Sequence, residues 1–235
     1  MHRFIVFDLD DTLAAVGKPV LAENVALLHQ LQAQGRQIVL CSGKPVYYLC
    51  GLCRQLGLPD AILIGETGAV LQGGSALPPR FHIKNNICPE ALAQMDLVRE
   101  ALSPYAARLW YQPNEVVLTP FPRDPEMFTI LEEITCALTP ALTALDIYRQ
   151  VDCIDFIPKG TSKMSGLQAL ARELGASSQD FLVVGDGEND VPMFQYADYS
   201  ICIQHLGCQV AHLASNAFAT LQEALEFILS ENVGN

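Results

Sequence analysis

"FIVFDLDDTL", residues 4–13, sets four apolar residues directly before three acids. The apolar run 4–7 is typical of a strand that is buried on both faces, as in a parallel sheet. Asp8, Asp10 and Asp11 then follow where this strand ends. In open parallel sheets, ligand sites form outside the carboxyl ends of the strands. This stretch therefore predicts an α/β fold with an acidic site at the end of its first strand.

The composition indicates a globular protein and argues against a nucleic-acid partner. The chain has 235 residues, half of them hydrophobic, which suffices for one large domain or two unequal ones. Its formal net charge is -12, from 14 basic and 26 acidic side chains. Such a field repels phosphate backbones, so an anionic substrate would need a metal or local positive charge.

The lengths of the apolar runs predict no membrane span and no secretory leader. Asp8 interrupts the first run after four residues, and no uncharged stretch reaches the roughly 18 residues of a span. We therefore expect a cytoplasmic protein. The eight cysteines are scattered in mostly apolar surroundings and are expected to be reduced, buried thiols. The oligomeric state is not indicated.

Short apolar runs alternate with helical patterns over both ends of the chain. Further strands are predicted at 37–40, 61–64, 181–184 and 199–203, with helices at 24–34 and 46–56 that each end before a glycine. This alternation predicts βαβ units and a Rossmann-like, three-layer α/β core with a parallel sheet. The core is expected to comprise residues 1–79 and 159–235.

The pattern changes between these two segments. "GGSALPPR", residues 73–80, is predicted to be a linker. Helices are then predicted at 89–102 and 125–138, each followed by two strand-like stretches, "RLWYQ" and "EVVLTPF", then "DIYRQV" and "CIDFIP". A repeated helix-strand-strand order predicts an inserted α+β domain over residues 80–158.

Polar groups recur at the predicted carboxyl ends of the core strands. The first strand delivers Asp8 and Asp10, the second delivers "CSGK" and the third "GETGA"; the strand at 181–184 leads into "GDGEND", and Lys163 opens the helix before it. Carboxylates of this kind are ligands for Mg²⁺, and without a cation they would repel one another. A hydroxyl and a lysine could stabilise a phosphoryl group. Together, these carboxylates, the hydroxyl and the lysine favour a phosphoryl-transfer reaction.

"DLDDTL", "CSGK", Lys163 and "GDGEND" stand in the order and context of the four motifs of the haloacid dehalogenase superfamily of hydrolases. The sequence resembles that superfamily, and the insertion resembles the C2 cap of its Cof-type, class IIB members. The resemblance implies a Mg²⁺-dependent phosphatase that acts on a small phosphorylated metabolite, such as a sugar phosphate or a phosphoglycolate-like acid, through an aspartyl-phosphate intermediate.

The resemblance also assigns roles to individual residues. Asp8 would be the nucleophile and a metal ligand, and Asp10 the general acid and then base, giving its backbone carbonyl to the metal. The other predicted metal ligands are Asp186 and Asp190. The predicted phosphate- or substrate-binding residues are Thr12, which would steady the loop, Ser42, Gly43, Lys44, Lys163 and Asn189.

Two departures from the family pattern concern the substrate side of the site. Lys44 stands where related members usually have arginine, and Glu66-Thr67 stands where many have Glu/Ser-Asn. Lys44 keeps the charge but loses the bidentate fork. A phosphohexomutase of the same superfamily is the first alternative function. A catalytically silent metabolite-binding protein is the second, although the complete acid set argues against it.

Several residues also admit purely structural interpretations. Asp190 could be the N-cap of the helix that follows it, and Asp10-Asp11-Thr12 could be a turn. Cys50 and Cys53 have redox spacing, and His205, Cys208 and His212 have helical spacing for a metal, but packing roles are favoured for both groups. In the insertion, the candidate specificity contacts are Arg108, Trp110, Arg123 and Arg149. The sequence does not choose among them, because strand register decides which of them face the site.

Overall fold

The structure, a computed structural model, describes residues 2–204 and 209–230. Within them the chain forms two compact units, residues 1–83 with 162–235 and residues 84–161. His205 and Cys208 lie outside the described residues, so the structure does not bear on their predicted packing role. None of the described helices combines the length and the apolar character that crossing a membrane requires.

The first unit contains one eight-stranded sheet. Its strands are β1 Phe4–Phe7, β2 Gln37–Cys41, β3 Ile62–Gly65, β4 Val70–Gly73, β5 His82–Lys84, β10 Phe181–Gly185, β11 Tyr199–Ile203 and β12 Asn216–Phe218. The spatial order is β12-β11-β10-β1-β2-β3-β4-β5. The strands from β12 to β3 pair in parallel, with Phe4 beside both Gln37 and Phe181. The most buried part of the sheet is therefore built around β1.

Helices cover the parallel strands of this sheet. They are α1 Ala22–Ala33, α2 Val46–Gln55, α5 Lys163–Leu174, α6 Val191–Tyr196 and α7 Leu221–Ser230. Leu167 and Leu170 of α5 and Met193 of α6 share one buried cluster with Phe4 and Val6 of β1. All four residues of β1 are buried, so the strand is covered on both faces. The Rossmann-like α/β core predicted from the sequence is confirmed.

The sheet is mixed, not purely parallel as predicted. β4 runs antiparallel to β3, with Ile62 beside Gly73, and β5 follows it at the sheet edge. The segment 73–80, predicted to be a linker, is the connection between β4 and β5 in the first unit. Backbone hydrogen bonds join Gly73 to Arg80 and Phe81. A Cβ at Gly73 would lie 2.7 Å from the Phe81 ring, which explains the glycine that suggested a linker.

The second unit pairs two helices with two antiparallel hairpins. Its elements are α3 Pro89–Leu102, β6 Leu109–Tyr111, β7 Pro120–Pro122, α4 Pro125–Leu138, β8 Leu145–Arg149 and β9 Ile154–Pro158. Trp110 pairs with Phe121 and Tyr148 with Asp155, and a bridge from Leu118 to Phe156 links the hairpins. The helix bounds predicted for α3 and α4 are correct, while the strands are shorter than predicted.

Candidate active site

The carboxyl ends of β1 and β10 bring three acids and one lysine together. Lys163, the first residue of α5, places its Nζ 2.5 Å from an oxygen of Asp8 and 2.5 Å from an oxygen of Asp190. All three side chains are buried. One oxygen each of Asp8, Asp186 and Asp190 lie within 4.8 Å of one another. Side chains 155 positions apart in the sequence thus form a single charged cluster.

Burial and charge act against each other in this cluster. Burial raises the pKa of Asp8 to about 7, because the ionised form loses its hydration, while Lys163 opposes the shift. Burial by itself would lower the pKa of Lys163, but the charges of Asp8 and Asp190 outweigh it and raise that pKa. Burial also raises the pKa of Asp186. The lysine is therefore a cation held in place by two buried carboxylates.

Close backbone packing fixes the start of α5 and with it Lys163. Gly68, at φ +103°, approaches so near that a Cβ there would lie 2.1 Å from the carbonyl oxygen of Ser162. Gly166 likewise has space for no Cβ, since one would lie 2.8 Å from the Cα of Gly68. Ser162 and Ser165 form a capping box at this helix start. A glycine inside a helical sequence indicates a close backbone approach, but the sequence does not show which residue approaches it.

Asp190 stands at the N-cap position of α6, as its place before the helix suggests, but its carboxylate has a different role. Its side chain makes no capping hydrogen bond to α6. One carboxylate oxygen accepts hydrogen bonds from the backbone N–H groups of Asp186 and Gly187, at 2.9 and 3.0 Å, and the other contacts Lys163. The carboxylate therefore turns back into the loop after β10 and organises it.

The loop after β1 is tied to the loop after β10. Thr12 donates a hydrogen bond of 2.7 Å to Asp186. Asp10 does not belong to the three-carboxylate cluster found among the described residues; its carboxylate lies 2.9 Å from Nζ of Lys44. Asn189 is exposed on the short helical turn before α6. Thr12 thus joins the Lys163 cluster through Asp186, Asp10 and Lys44 form a separate pair, and Asn189 belongs to neither.

Ser42 and Gly43 follow β2, the parallel neighbour of β1. Ser42 is buried, its N–H donates to Ile64 and its hydroxyl accepts from the N–H of Lys44 at 3.2 Å. Glu66 and Thr67 both have a positive φ, and the N–H of Thr67 donates to the carbonyl of Ser42. This tight turn was beyond sequence reasoning, because two left-handed non-glycine residues in succession carry no reliable signal.

The described cysteines do not belong to the three-carboxylate cluster. Cys50 and Cys53 lie within α2, and burial raises the pKa of Cys53 to about 12. Cys41, at the end of β2, is also buried, with its pKa raised to about 12. The expectation of buried thiols fails at Cys88 and Cys136, which are exposed. Both belong to the small second unit, where little interior volume is available.

The acids and the lysine lie at the carboxyl edge of a Rossmann-like sheet, which is where open α/β sheets bind their ligands. Residues 5–123 and 121–223 match the family model of the haloacid dehalogenase-like hydrolases. The chain belongs to this family, as the resemblance of its motifs predicted. The predicted enzyme class, a phosphoric monoester hydrolase of this family, is also confirmed.

Similar proteins include two named phosphoglycolate phosphatase. That of Methanoculleus marisnigri is 27% identical over 209 residues, covering 87% of this chain and 85% of its own. That of Methanococcoides burtonii is 23% identical, covering 98% of each chain. A haloacid dehalogenase-like hydrolase of Bacteroides thetaiotaomicron superposes with a TM-score of 0.81 at 18% identity, covering 97% of this chain and 100% of its own. A subclass IIB sugar phosphatase superposes at 0.70 and 19% identity, covering 96% and 98%.

Proposed function

We propose that the protein is a Mg²⁺-dependent phosphatase that hydrolyses a small phosphorylated metabolite through an aspartyl phosphate on Asp8. The observation that carries this proposal is the buried Lys163 ammonium, shared by Asp8 and Asp190 at the carboxyl edge of the sheet. A cation fixed beside a carboxylate suits a reaction in which a phosphoryl group, with its negative oxygens, arrives at that carboxylate.

The acid cluster fits a divalent cation. Three carboxylate oxygens within 4.8 Å of one another offer the hard oxygen ligands that Mg²⁺ takes, with waters and phosphate completing its shell. Asp8 and Asp186 would hold the ion directly with the backbone carbonyl of Asp10, and Asp190 would act through water, since both its oxygens already accept hydrogen bonds. When bound, the ion would neutralise charge on the phosphoryl group.

Each step of the reaction can be assigned to side chains of the first unit. The Asp8 carboxylate attacks phosphorus, while Lys163 and Ser42 hold the phosphoryl oxygens. Asp10 gives a proton to the leaving oxygen and later takes one from the water that hydrolyses the intermediate. For this, the 2.9 Å contact between Asp10 and Lys44 must open when substrate binds. Lys44 could then contact the substrate from the position where related members usually have arginine.

Residues 80–158 are proposed to be a C2-type cap that supplies specificity. The strand register narrows its candidate contacts. Arg108 is engaged by Asp124 and Glu126, and Arg149 lies 3.7 Å from the sulfur of Cys136 on α4. Trp110 is half-exposed against Phe121, and Arg123 is exposed. We therefore favour Trp110 and Arg123 as the substrate contacts of this unit.

The proposed substrate class is a sugar phosphate or a phosphoglycolate-like acid, supported by the names of the similar proteins. The test is phosphate release over a panel of such compounds, with Mg²⁺ and with chelator. Asp8→Asn is expected to lower kcat by roughly 10⁴-fold or more, because it removes the nucleophile. Asp11→Asn is the matched control, since asparagine keeps the side-chain oxygen that accepts from the N–H of Val16 and tolerates its positive φ. Full activity in Asp8→Asn would overturn the mechanism.

Metal binding can be measured without turnover. Mg²⁺ at 100 times its Kd is expected to stabilise the protein by about 2.7 kcal/mol, because it binds only the folded state. Asp186→Asn should abolish the resulting rise in Tm. An equal rise in that variant would place the metal elsewhere. A phosphohexomutase would instead transfer the phosphate from Asp8 to a second hydroxyl of a sugar monophosphate, and the resulting bisphosphate would rephosphorylate Asp8 with no net release of phosphate. A silent binding protein would release none while still binding substrate.

A further inference from the structure

A cavity of about 320 Å³ lies within the first unit, beside Asp10. Its walls are the loop that follows β1 and one side of α2. The loop contributes Asp10, Ala14, Lys18 and Val20, and the helix contributes Tyr48 and Leu52. The volume is at the lower end of the range for small-molecule sites. Of the residues that line this cavity, Asp10 has an assigned role in phosphoryl transfer and the others have none.

The loop that forms one wall is held by its own hydrogen bonds. Asp11 has φ +59°, its N–H donates to the carbonyl of Ala14 at 2.8 Å, and its carboxylate accepts from the N–H of Val16 at 3.2 Å. The N–H of Lys18 donates to the carbonyl of Ala15 at 2.9 Å. Asp11, which the chemistry does not use, thus folds the backbone that carries Lys18.

The lining of this cavity contains one basic and one acidic side chain, whereas the whole chain is strongly acidic. Asp10 and Lys18 are the charged residues in its lining, and Asp10 is already paired with Lys44. Lys18 is exposed, and its ammonium group has no ion-pair partner within residues 2–204 and 209–230. Tyr48 brings a phenolic hydroxyl to the same cavity, where it is 55% exposed. A chain of net charge -12 therefore keeps one uncompensated cation beside its acid–base residue.

The proposed reaction determines which part of the substrate lies beside this cavity. In the proposed reaction Asp10 protonates the leaving oxygen, so the atoms bonded to that oxygen must lie next to Asp10, which also lines the cavity. We propose that the cavity binds a carboxylate on the leaving group, with Lys18 as its ion-pair partner and Tyr48 as a hydrogen-bond donor. This inference rests on the proposed function and narrows its substrate class to short phosphorylated carboxylic acids.

The test compares substrates that differ in the second charge. Phosphoglycolate carries a carboxylate, 2-hydroxyethyl phosphate replaces it with a neutral hydroxyl, and 1,3-propanediol bisphosphate replaces it with a phosphate. Lys18→Met is expected to lower kcat/KM for phosphoglycolate roughly 10- to 100-fold, mainly through KM. It should leave 2-hydroxyethyl phosphate within about twofold of wild type, because no charge is there to pair.

Matched variants separate the role of Lys18 from a loss of fold. Lys18→Arg should restore most of the phosphoglycolate activity, and Tyr48→Phe should cost roughly 2- to 10-fold. Arg54→Met removes the same charge from the last turn of α2, away from the cavity lining, and should change neither substrate. Equal losses on phosphoglycolate and 2-hydroxyethyl phosphate in Lys18→Met would overturn the inference. A loss confined to the bisphosphate would overturn the assignment to a carboxylate.

A binding measurement distinguishes failure of this inference from failure of the proposed function. Phosphoglycolate is titrated calorimetrically into Asp8→Asn, with and without Lys18→Met. A Kd weakened roughly 10-fold or more by Lys18→Met supports the site even if the wild type releases no phosphate, in which case only the proposed reaction fails. An unchanged Kd overturns the site, whatever the wild type hydrolyses.

Discussion

The two units of the chain each contain a cation that contacts two carboxylates, but in opposite surroundings. In the first unit Lys163 is 1% exposed and joins Asp8 to Asp190. In the second unit Arg108 is 35% exposed and contacts Asp124 and Glu126. Asp124 is also the N-cap of α4, where it accepts from the N–H of Met127. The same arrangement of charges is thus a buried cluster in one unit and a solvent-accessible helix cap in the other.

Burial accounts for this difference. Water around an exposed pair screens its charges, so the pair contributes little beyond holding the end of a helix. In the interior, each charge depends on its partners, because removing one leaves the others without hydration. Asp8 and Lys163 therefore depend on each other for charge compensation in the interior.

The largest expected effect is that of Lys163→Met. This change leaves Asp8 and Asp190 buried without their cation, and we expect a loss of roughly 3–5 kcal/mol in the free energy of unfolding, measured by denaturant titration. Adding Asp8→Asn should recover part of that loss, because it removes one of the uncompensated charges. A Lys163→Met protein as stable as the wild type would contradict the buried ion-pair interpretation.

A smaller effect is expected where the backbone supports the same lysine. Gly68→Ala would place a Cβ 2.1 Å from the Ser162 carbonyl and should cost roughly 2–3 kcal/mol and most of the phosphatase activity. Gly175→Ala is the control, since Gly175 also has a positive φ but its Cβ would meet nothing within 4 Å. That control should cost about 1 kcal/mol and keep the activity. Equal costs would show that strain in φ, not the contact with α5, matters at Gly68.

The smallest effect is expected for Arg108→Met in the second unit. The exposed pair is screened, so Tm should fall much less than in Lys163→Met, and 1 M salt should remove most of the difference from wild type. Thermal melts at low and high salt provide the measurement. A drop as large as that of Lys163→Met would mean that exposure does not distinguish the two clusters.

The sequence predicted the parallel part of the sheet because β1, β2, β10 and β11 are continuous apolar runs with one interpretation. It missed β4 and β5, since the glycines and prolines of the segment 73–80 that connects them are equally typical of a linker. It also brought Asp8, Lys163, Asp186 and Asp190 to one edge, because strand order alone places their loops there.

Contacts between side chains were beyond sequence reasoning. The pairing of Asp10 with Lys44 and the turn of Asp190 away from α6 depend on rotamers and loop geometry that residue types do not encode. The Gly68–Gly166 approach was signalled only as an unexplained glycine within a helix. In the second unit, the register that exposes Trp110 and directs Arg149 towards α4 required the strand pairing itself.

The position of β1 between β2 and β10 has a consequence for how the chain is made. β2 follows β1 closely in the sequence, whereas β10 begins at Phe181, after the whole second unit. During synthesis, some 170 residues therefore emerge after β1 before it can pair with β10. Contacts of such long range form slowly. Asp8 is translated early but acquires its lysine only late, so a truncated chain would carry this carboxylate without its buried ion-pair partner.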